Sequence, residues 1–421
     1  MTPPNQMIRY SILEFPQSIG HLIRTIEKIS KERKENCYLV GGFVRDWILK
    51  VPNADLDIAV EGDGNAFARE LALQTQATLK CFERFETSTL GIQGGGKLDV
   101  STCRSEVYDS EGELPRVTRS NIQGDLFRRD FTVNAMALKI QSRHFLELID
   151  PFHGKQDLKS KILRALHAKS FLEDPTRIFR ASRFQARWHG KIHPQTQRWI
   201  LDAVQTGCLT RVSAFRIWKE LHLIWNEPYP SKILDQLQAW KTFKPWNIRY
   251  SGQIFPSKVR QWVKFFNQKF NQTIDPRDLY FLDFFSGWTS QQMIQWENQF
   301  PLSRLEKRLL NQWIRIREDF QHGATMSWSQ KDRVLKKIHP AMQAFLCLCE
   351  SEPFQPYVVH YFRKITSLTP WIQMKDLVRD NRFIPSQYTE ILSEALGKQV
   401  EKKFPNQEQL LKWLHQRYGS K

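Results

Sequence analysis

The chain lacks the features that mark membrane spans, disulfide scaffolds and disordered tracts. None of its 421 residues falls in an apolar run approaching the roughly 18 needed to cross a bilayer. The opening Met1-Thr2-Pro3-Pro4-Asn5 has no basic stretch followed by an apolar one, so no secretory signal is expected. Six cysteines are scattered at positions 37, 81, 103, 208, 347 and 349 without a Cys-x-x-Cys pair. That spacing indicates neither a zinc site nor a disulfide framework, and a reduced, cytoplasmic setting is expected. No internal repeat and no low-complexity tract interrupts the sequence. Neither a membrane nor a stable protein partner is indicated.

What is present is positive charge, unevenly placed. The net charge is +18, with 62 Lys and Arg against 44 Asp and Glu. From Arg211 onward there are 32 basic and 19 acidic residues, whereas the first 210 residues hold 30 and 25. The asymmetry suggests a C-terminal half that holds a polyanion and an N-terminal half with another task. Charge kept for solubility alone is the plainer alternative. Hydrophobic residues make up 41% of the chain, enough for real cores.

Residues 8–35 read as a helix, with Leu22, Ile23, Ile26 and Ile29 at helical spacing. Cys37-Tyr38-Leu39-Val40 is rich in strand formers and ends at Gly41-Gly42. A helix over 43–49, a strand over 56–60 and a helix over 65–74 follow. Further strands are expected over 90–93 and 97–102, with Gly94-Gly95-Gly96 turning between them. From about residue 158 helical periodicity dominates. The pattern predicts an α+β protein: a head with a small sheet, followed by an all-helical remainder. Eleven of the 14 tryptophans lie after residue 210. Most should pack between helices, although an indole can also stack on a base.

Side chains two apart on a strand share a face, so Asp55 and Asp57 project together. Two neighbouring carboxylates repel unless a cation sits between them, and Mg²⁺ takes one or two protein carboxylates plus phosphate oxygens. An Asp-x-Asp alone is common at the ends of surface strands. Here it follows a strand, Gly-Gly and helix, where backbone N–H groups approach a phosphate with no Cβ in the way. Arg45 lies one turn inside that helix. Asp99 would complete a two-metal site that clamps the attacking oxygen and the phosphate, or it is a solvated strand acid. Glu106 competes for the same role.

Two later segments are rich in guanidinium groups. Arg128-Arg129-Asp130 with Asn134 offers forks for phosphate together with acceptors and donors for sugar hydroxyls. Glu173-Asp174-Pro175-Thr176-Arg177 opens a helix, with Pro and acids suited to its first turn. Asp174, Arg177, Arg180 and Arg183 recur every third residue, which reads as one polar row along that helix. An Asp beside an Arg can pair with the edge of a base, and the arginines beyond can reach a triphosphate. Ordinary caps and a solvated helix face account for the same residues.

Taken in order, these segments resemble the bacterial class II tRNA nucleotidyltransferases (CCA-adding enzymes) and the related poly(A) polymerases. The residues that carry the resemblance are Leu39 to Asp46 with Asp55-Leu56-Asp57-Ile58, then Arg128 to Ala137. Asp150-Pro151-Phe152-His153-Gly154 with Asp157-Leu158, and Glu173 to Phe184, complete it. The resemblance covers roughly residues 36–190. It implies a polymerase-β-like catalytic head (1–145), a helical neck that reads the base (146–210), a helical body (211–330) and a tRNA-binding tail (331–421). It further implies that Asp55 and Asp57 bind Mg²⁺; if Asp99 joins them as the strand pattern suggests, two ions are expected. Gly41, Gly42 and Arg45 would meet the phosphates, Arg128, Arg129, Asp130 and Asn134 the ribose, and Asp174 and Arg177 the base of ATP or CTP. Arg180 and Arg183 match further nucleotide contacts, and Glu173, part of the matching motif, is a nucleotide-binding candidate beside them. The tRNA acceptor stem and 3′ end would be the partner, held through phosphates and shape.

Within that family a member can add CCA, CC only or A only. The stretch Glu106 to Pro115 departs from the Arg-containing loop of the usual CCA-adding pattern, and its Leu114-Pro115, with Glu173 to Arg177, looks closer to split-activity members, particularly A-adding ones. Poly(A) polymerases carry a Gly-Arg/Lys-rich segment soon after the Asp-x-Asp strand, and residues 75–96 hold nothing similar. A non-catalytic RNA-binding protein on the same scaffold is the third reading, and the intact carboxylates speak against it.

Overall fold

The computed structural model describes residues 8–53, 55–92, 96–140, 145–252, 254–320, 326–350, 352–365, 367–380 and 382–419. Two compact units are present. One holds residues 1–220 with 239–245, and the other holds 221–238 with 246–421.

The first unit is built on an eight-stranded mixed sheet. Along the chain run β1 (Arg9–Ser11), α1 (Gln17–Arg33), β2 (Asn36–Val40), α2 (Gly41–Ile48) and β3 (Asp55–Glu61). Then come α3 (Gly64–Thr75), β4 (Thr78–Phe82), β5 (Thr87–Ile92) and β6 (Gly96–Thr102). A hairpin of β7 (Arg104–Val107) and β8 (Arg116–Arg119) precedes α4 (Ile122–Phe127), β9 (Ala137–Ile140) and β10 (Phe145–Ile149). The sheet order is β1-β10-β9-β2-β3-β6-β5-β4. β3 lies at its centre, antiparallel to β2 and parallel to β6. Its Leu56, Ile58 and Val60 are buried beside Leu98 and Val100 of β6. Each such side chain contributes roughly 1.5–3 kcal/mol by leaving water, so the strand that carries the two acids is anchored firmly.

The helix expected over 8–35 begins only at Gln17. Pro16 cannot sit inside a helix, and Ser11 and Glu14 form a capping box on a short 3₁₀ turn before it. Arg9–Ser11 is drawn into the sheet by pairing with β10. β10 in turn pairs with β9 as far as Ile149. The expected turn at 94–96 lies, apart from Gly96, outside the described residues.

Beyond the sheet follow α5 (Gly154–Lys159), β11 (Ile162–Leu163), α6 (Ser170–Glu173), α7 (Thr176–Trp188), β12 (Lys191–Ile192), α8 (Pro194–Gln205) and α9 (Ala214–Trp225). β11 and β12 form a two-residue parallel pair and Ala165 bridges to Phe131, departures from the helical reading of this stretch.

The second unit is helical among its described residues. Three of its helices start on capping boxes, formed by Thr289 with Gln292, Ser303 with Glu306 and Ser327 with Gln330. A separate apolar cluster near the C-terminus gathers Ile372, Leu377, Phe383, Ile391, Leu410 and Leu414. Of the eleven tryptophans after residue 210, seven are buried and the other four are half-buried. Trp296, for instance, stacks on Phe300 at 3.6 Å between ring centroids. The packing expectation therefore covers most of them. No helix among the described residues is long and apolar enough to cross a membrane.

Candidate functional site

The site forms where β2 gives way to α2. Gly41 has φ +69°, and a Cβ there would lie 3.1 Å from both Asp57 Oδ2 and Arg129 Nη1. The left-handed backbone thus favours glycine, and a side chain there would also crowd both groups. The helix mouth it opens borders a cavity of about 410 Å³.

Asp57 lines this cavity. In register, Asp57 stands opposite Asp99 on β6, and Asp55 opposite Lys97. The three acids therefore share one face of the sheet as a row. Burial, with Asp99 and Asp55 adding repulsion, pushes the Asp57 carboxyl up to about 6 against the pull of Arg129 and Lys97. Asp99 accepts from Thr89 Oγ1 at 2.6 Å and from Lys97 Nζ at 2.6 Å. No group of three His, Cys, Asp or Glu side chains among the described residues is arranged to enclose a metal. A divalent cation nevertheless suits the row. Its like charges are penalised when ionised, and Gly41 leaves room directly against Asp57.

The guanidinium groups around the cavity are pre-positioned by acids. Asp125 on α4 is fully buried and accepts from Arg128 Nη2 (2.7 Å) and Arg129 Nη2 (2.8 Å). Burial alone would raise its pKa, but Arg129 and Arg128 outweigh it and hold the carboxyl below its ordinary value. Glu106 ties Arg128 from the other side at 3.1 Å. Arg45 is buried, forked onto Asp46 (2.7 and 2.9 Å), and donates to Asn134 Oδ1 (2.9 Å). Its guanidinium lies over the rings of Phe184 and Trp188. Asp130 accepts from Arg180 Nη2 (2.6 Å), Arg180 Nε (2.8 Å) and Asn134 Nδ2 (2.9 Å). Burial opposes its ionisation, and Arg180 and Asn134 reverse that to leave its pKa lowered.

On the far wall, Arg177 donates to Ser170 Oγ (2.7 Å) and to the Arg128 carbonyl (2.6 Å). Asp174 caps the chain just before α7, accepting from Thr176 N (3.0 Å) and Thr176 Oγ1 (2.6 Å).

Of the residues expected from sequence, Gly41, Gly42, Arg45, Asp57, Arg128, Arg129, Asp130, Asn134, Asp174, Arg177 and Arg180 line this one cavity. Asp55 and Asp99 share the acid row without lining it. Two others turn elsewhere. Glu173 faces His167 at 3.6 Å, and Arg183 pairs with Glu220 at 3.0 Å. The single row along α7 thus breaks, because a spacing of three falls short of the 3.6-residue turn and each step slips round the helix. Phe184, seven after Arg177, returns to the cavity in place of Arg183. Tyr108 and Glu106 also line it, and Asp125 stands behind it. Asp125 was legible as an acid three and four residues before two arginines. Tyr108 carried no signal.

Residues 37–164 match the family model described as the poly A polymerase head domain. The chain is 41% identical over 224 residues to the A-adding tRNA nucleotidyltransferase of Geobacter sulfurreducens. That match spans 53% of this chain but only 26% of the relative. It is 29% identical over 367 residues to the A-adding tRNA nucleotidyltransferase of Halalkalibacterium halodurans, covering 85% of this chain and 83% of the relative. Among solved structures, the apo form II of a CCA-adding enzyme is similar with a TM-score of 0.79 at 26% identity. The likeness covers 98% of this chain and all of that one.

Proposed function

We propose that this chain, a member of the tRNA nucleotidyltransferase and poly(A) polymerase family, is a tRNA 3′-terminal nucleotidyltransferase whose own addition is AMP from ATP. The observation that carries the reading is the single cavity that joins Asp57, the mouth of α2, a guanidinium cluster and the Asp174–Arg177 pair. Those are the parts needed to hold a reactive phosphate, a triphosphate, a ribose and a base together.

In this reading the 3′ hydroxyl of the RNA attacks the α-phosphate and pyrophosphate leaves. Asp55 and Asp57, with Asp99 beside them, would hold Mg²⁺, which stabilises the charge of the phosphoryl group in transfer. Gly41 and Gly42 present unhindered N–H groups at a helix N-terminus, where phosphate is favoured. Arg129 and Arg45 add positive charge that their acid partners keep in place. Asp130, Asn134 and Arg180 suit the ribose, although Asp130 spends both carboxylate oxygens on neighbours in the free site. Asp174 as an acceptor and Arg177 as a donor fork suit the edge of adenine. The basic helical C-terminal half beyond α9 would hold the tRNA phosphates. The head, neck, body and tail division expected from sequence is part of the same proposal.

AMP is favoured over CMP by the loop from Glu106 to Pro115 and by the A-adding relatives. CCA addition is the second reading, favoured by the CCA-adding fold match. Three tRNA transcripts, ending at the discriminator base, after one C and after two, are incubated with ATP alone, CTP alone and both. One AMP added only to the end with two C supports A addition, whereas CMP on the shorter ends supports CC or CCA addition. Long adenylate tails on unrelated RNA would indicate a poly(A) polymerase, and no product on any transcript would refute the proposal.

A further inference from the structure

The base-reading carboxylate is not held by its own helix cap alone. Arg216, in the first turn of α9, donates from Nη2 to Asp174 Oδ1 at 2.7 Å. From Nη1 it donates to the Gly112 carbonyl, in the loop between β7 and β8, at 2.9 Å. Both partners are largely shielded, with side-chain exposures of 23% for Arg216 and 21% for Asp174. The Thr176 bonds fall on the same Oδ1, so all three donors converge on one oxygen and leave Oδ2 as the acceptor. The loop is fitted to this contact. Gly112 has φ +79°, and a Cβ there would lie 3.1 Å from the backbone and Cβ of Arg211. Glu111 next to it forms an ion pair with Arg211.

We propose that Arg216 is a positioning and specificity-determining residue: by bridging the Gly112 carbonyl and Asp174 it fixes the carboxylate that reads the base. This rests on the proposed role of Asp174. A planar fork can serve two acceptors at once in a set geometry, which a lysine ammonium on a flexible stem does not reproduce. With the fork in place, Asp174 has one orientation, and a base whose amino group does not meet Oδ2 is rejected. Without it, Asp174 keeps only the Thr176 bonds and can swing, so several bases are accepted poorly.

The test is the ratio of kcat/KM for ATP over CTP on a tRNA ending in two C, measured for R216A, R216K, R211A and D174A. Thermal melts of each run alongside. R216A should lower the ratio on the order of 10-fold, chiefly by raising KM for ATP, because the lost interaction orders the bound base and not the transfer. R216K should recover part of the ratio. R211A frees Glu111 without touching Asp174 and should leave the ratio unchanged. An unchanged ratio in R216A, with D174A lowering it, overturns the role of Arg216 while the base-reading role of Asp174 stands. An unchanged ratio in D174A overturns both. A fall in R211A equal to that in R216A assigns discrimination to the loop and also overturns the proposal. A merely structural role would lower kcat through lost active protein at constant KM and constant ratio. If R216A melts too early to assay, R216K decides by the same ratio.

Discussion

At the scale of single residues, the site depends on groups held by opposite charges before any nucleotide arrives. Asp125, Asp46 and Asp130 each fix an arginine at hydrogen-bond distance, so little side-chain freedom remains to be lost on binding. Gly41 is the position with least tolerance. Gly41→Ala would place a methyl 3.1 Å from Asp57 and Arg129 in a backbone conformation that L-residues rarely adopt. Strain of about 1–3 kcal/mol corresponds to roughly a 5- to 150-fold loss in kcat/KM for nucleotide transfer. Steady-state kinetics on a soluble, folded variant checks this, and normal kinetics would show that the helix mouth tolerates a side chain. Most of this level was readable in the chain, since Asp55, Asp57, Gly41 and the Arg128-Arg129-Asp130 run are defined by local spacing. Tyr108 was not, because a lone aromatic after a strand has no periodic partner to reveal which way it faces. Arg216 was not either, because its partners stand 42 and 104 residues away.

Among the elements, α7 decides which arginines face the cavity. Arg180 and Arg183 look equivalent by a count of three, but only Arg180 lines the cavity. Arg180→Ala should raise KM for ATP on the order of 10-fold, the cost of a lost charge-assisted contact, and also cost some stability because it strips buried Asp130 of its guanidinium partner. Arg183→Ala should instead lower stability by about 3 kcal/mol, because it strips the partner from Glu220 in a pair with side-chain exposures of only 14% and 11%. Nucleotide titrations paired with chemical denaturation separate the two, and the opposite assignment would restore the single polar row. Further along, the helix Pro276–Phe284 carries Asp278, whose carboxyl is pushed up to about 6 by burial and then by Asp275. A raised acid is stabilising only below its unfolded pKa of about 3.8. Stability is therefore lost as pH rises from there through about 6. Across that window Asp278→Asn should gain on the parent by on the order of 1 kcal/mol, after allowance for solvent screening. Parallel denaturation curves would count against this assignment. The strand at Arg9–Ser11 was hidden because three residues carry no readable period, and only pairing with β10 reveals it.

For the molecule as a whole, the charge asymmetry along the chain acquires a role. The α+β head and helical remainder were legible from periodicity and from the fading strand signal after residue 158. The extent of the sheet was not, since its edge strand β1 is only three residues long and pairs with β10, far away in sequence. If the basic second half holds tRNA through phosphates, affinity should fall steeply with salt. A loss of more than about 10-fold in tRNA affinity is expected between about 50 and 200 mM salt. Filter binding measures this, and a flat response would leave the net charge of +18 without that function. The claim on which the rest depends is that the acid row transfers AMP to a tRNA end. The most direct measurement follows α-labelled ATP onto a tRNA ending in two C, with the parent chain and with the Asp55→Ala, Asp57→Ala double variant. A single labelled AMP per tRNA from the parent and none from the folded double variant is the predicted result. Equal labelling by both proteins, or labelling by neither, would contradict it.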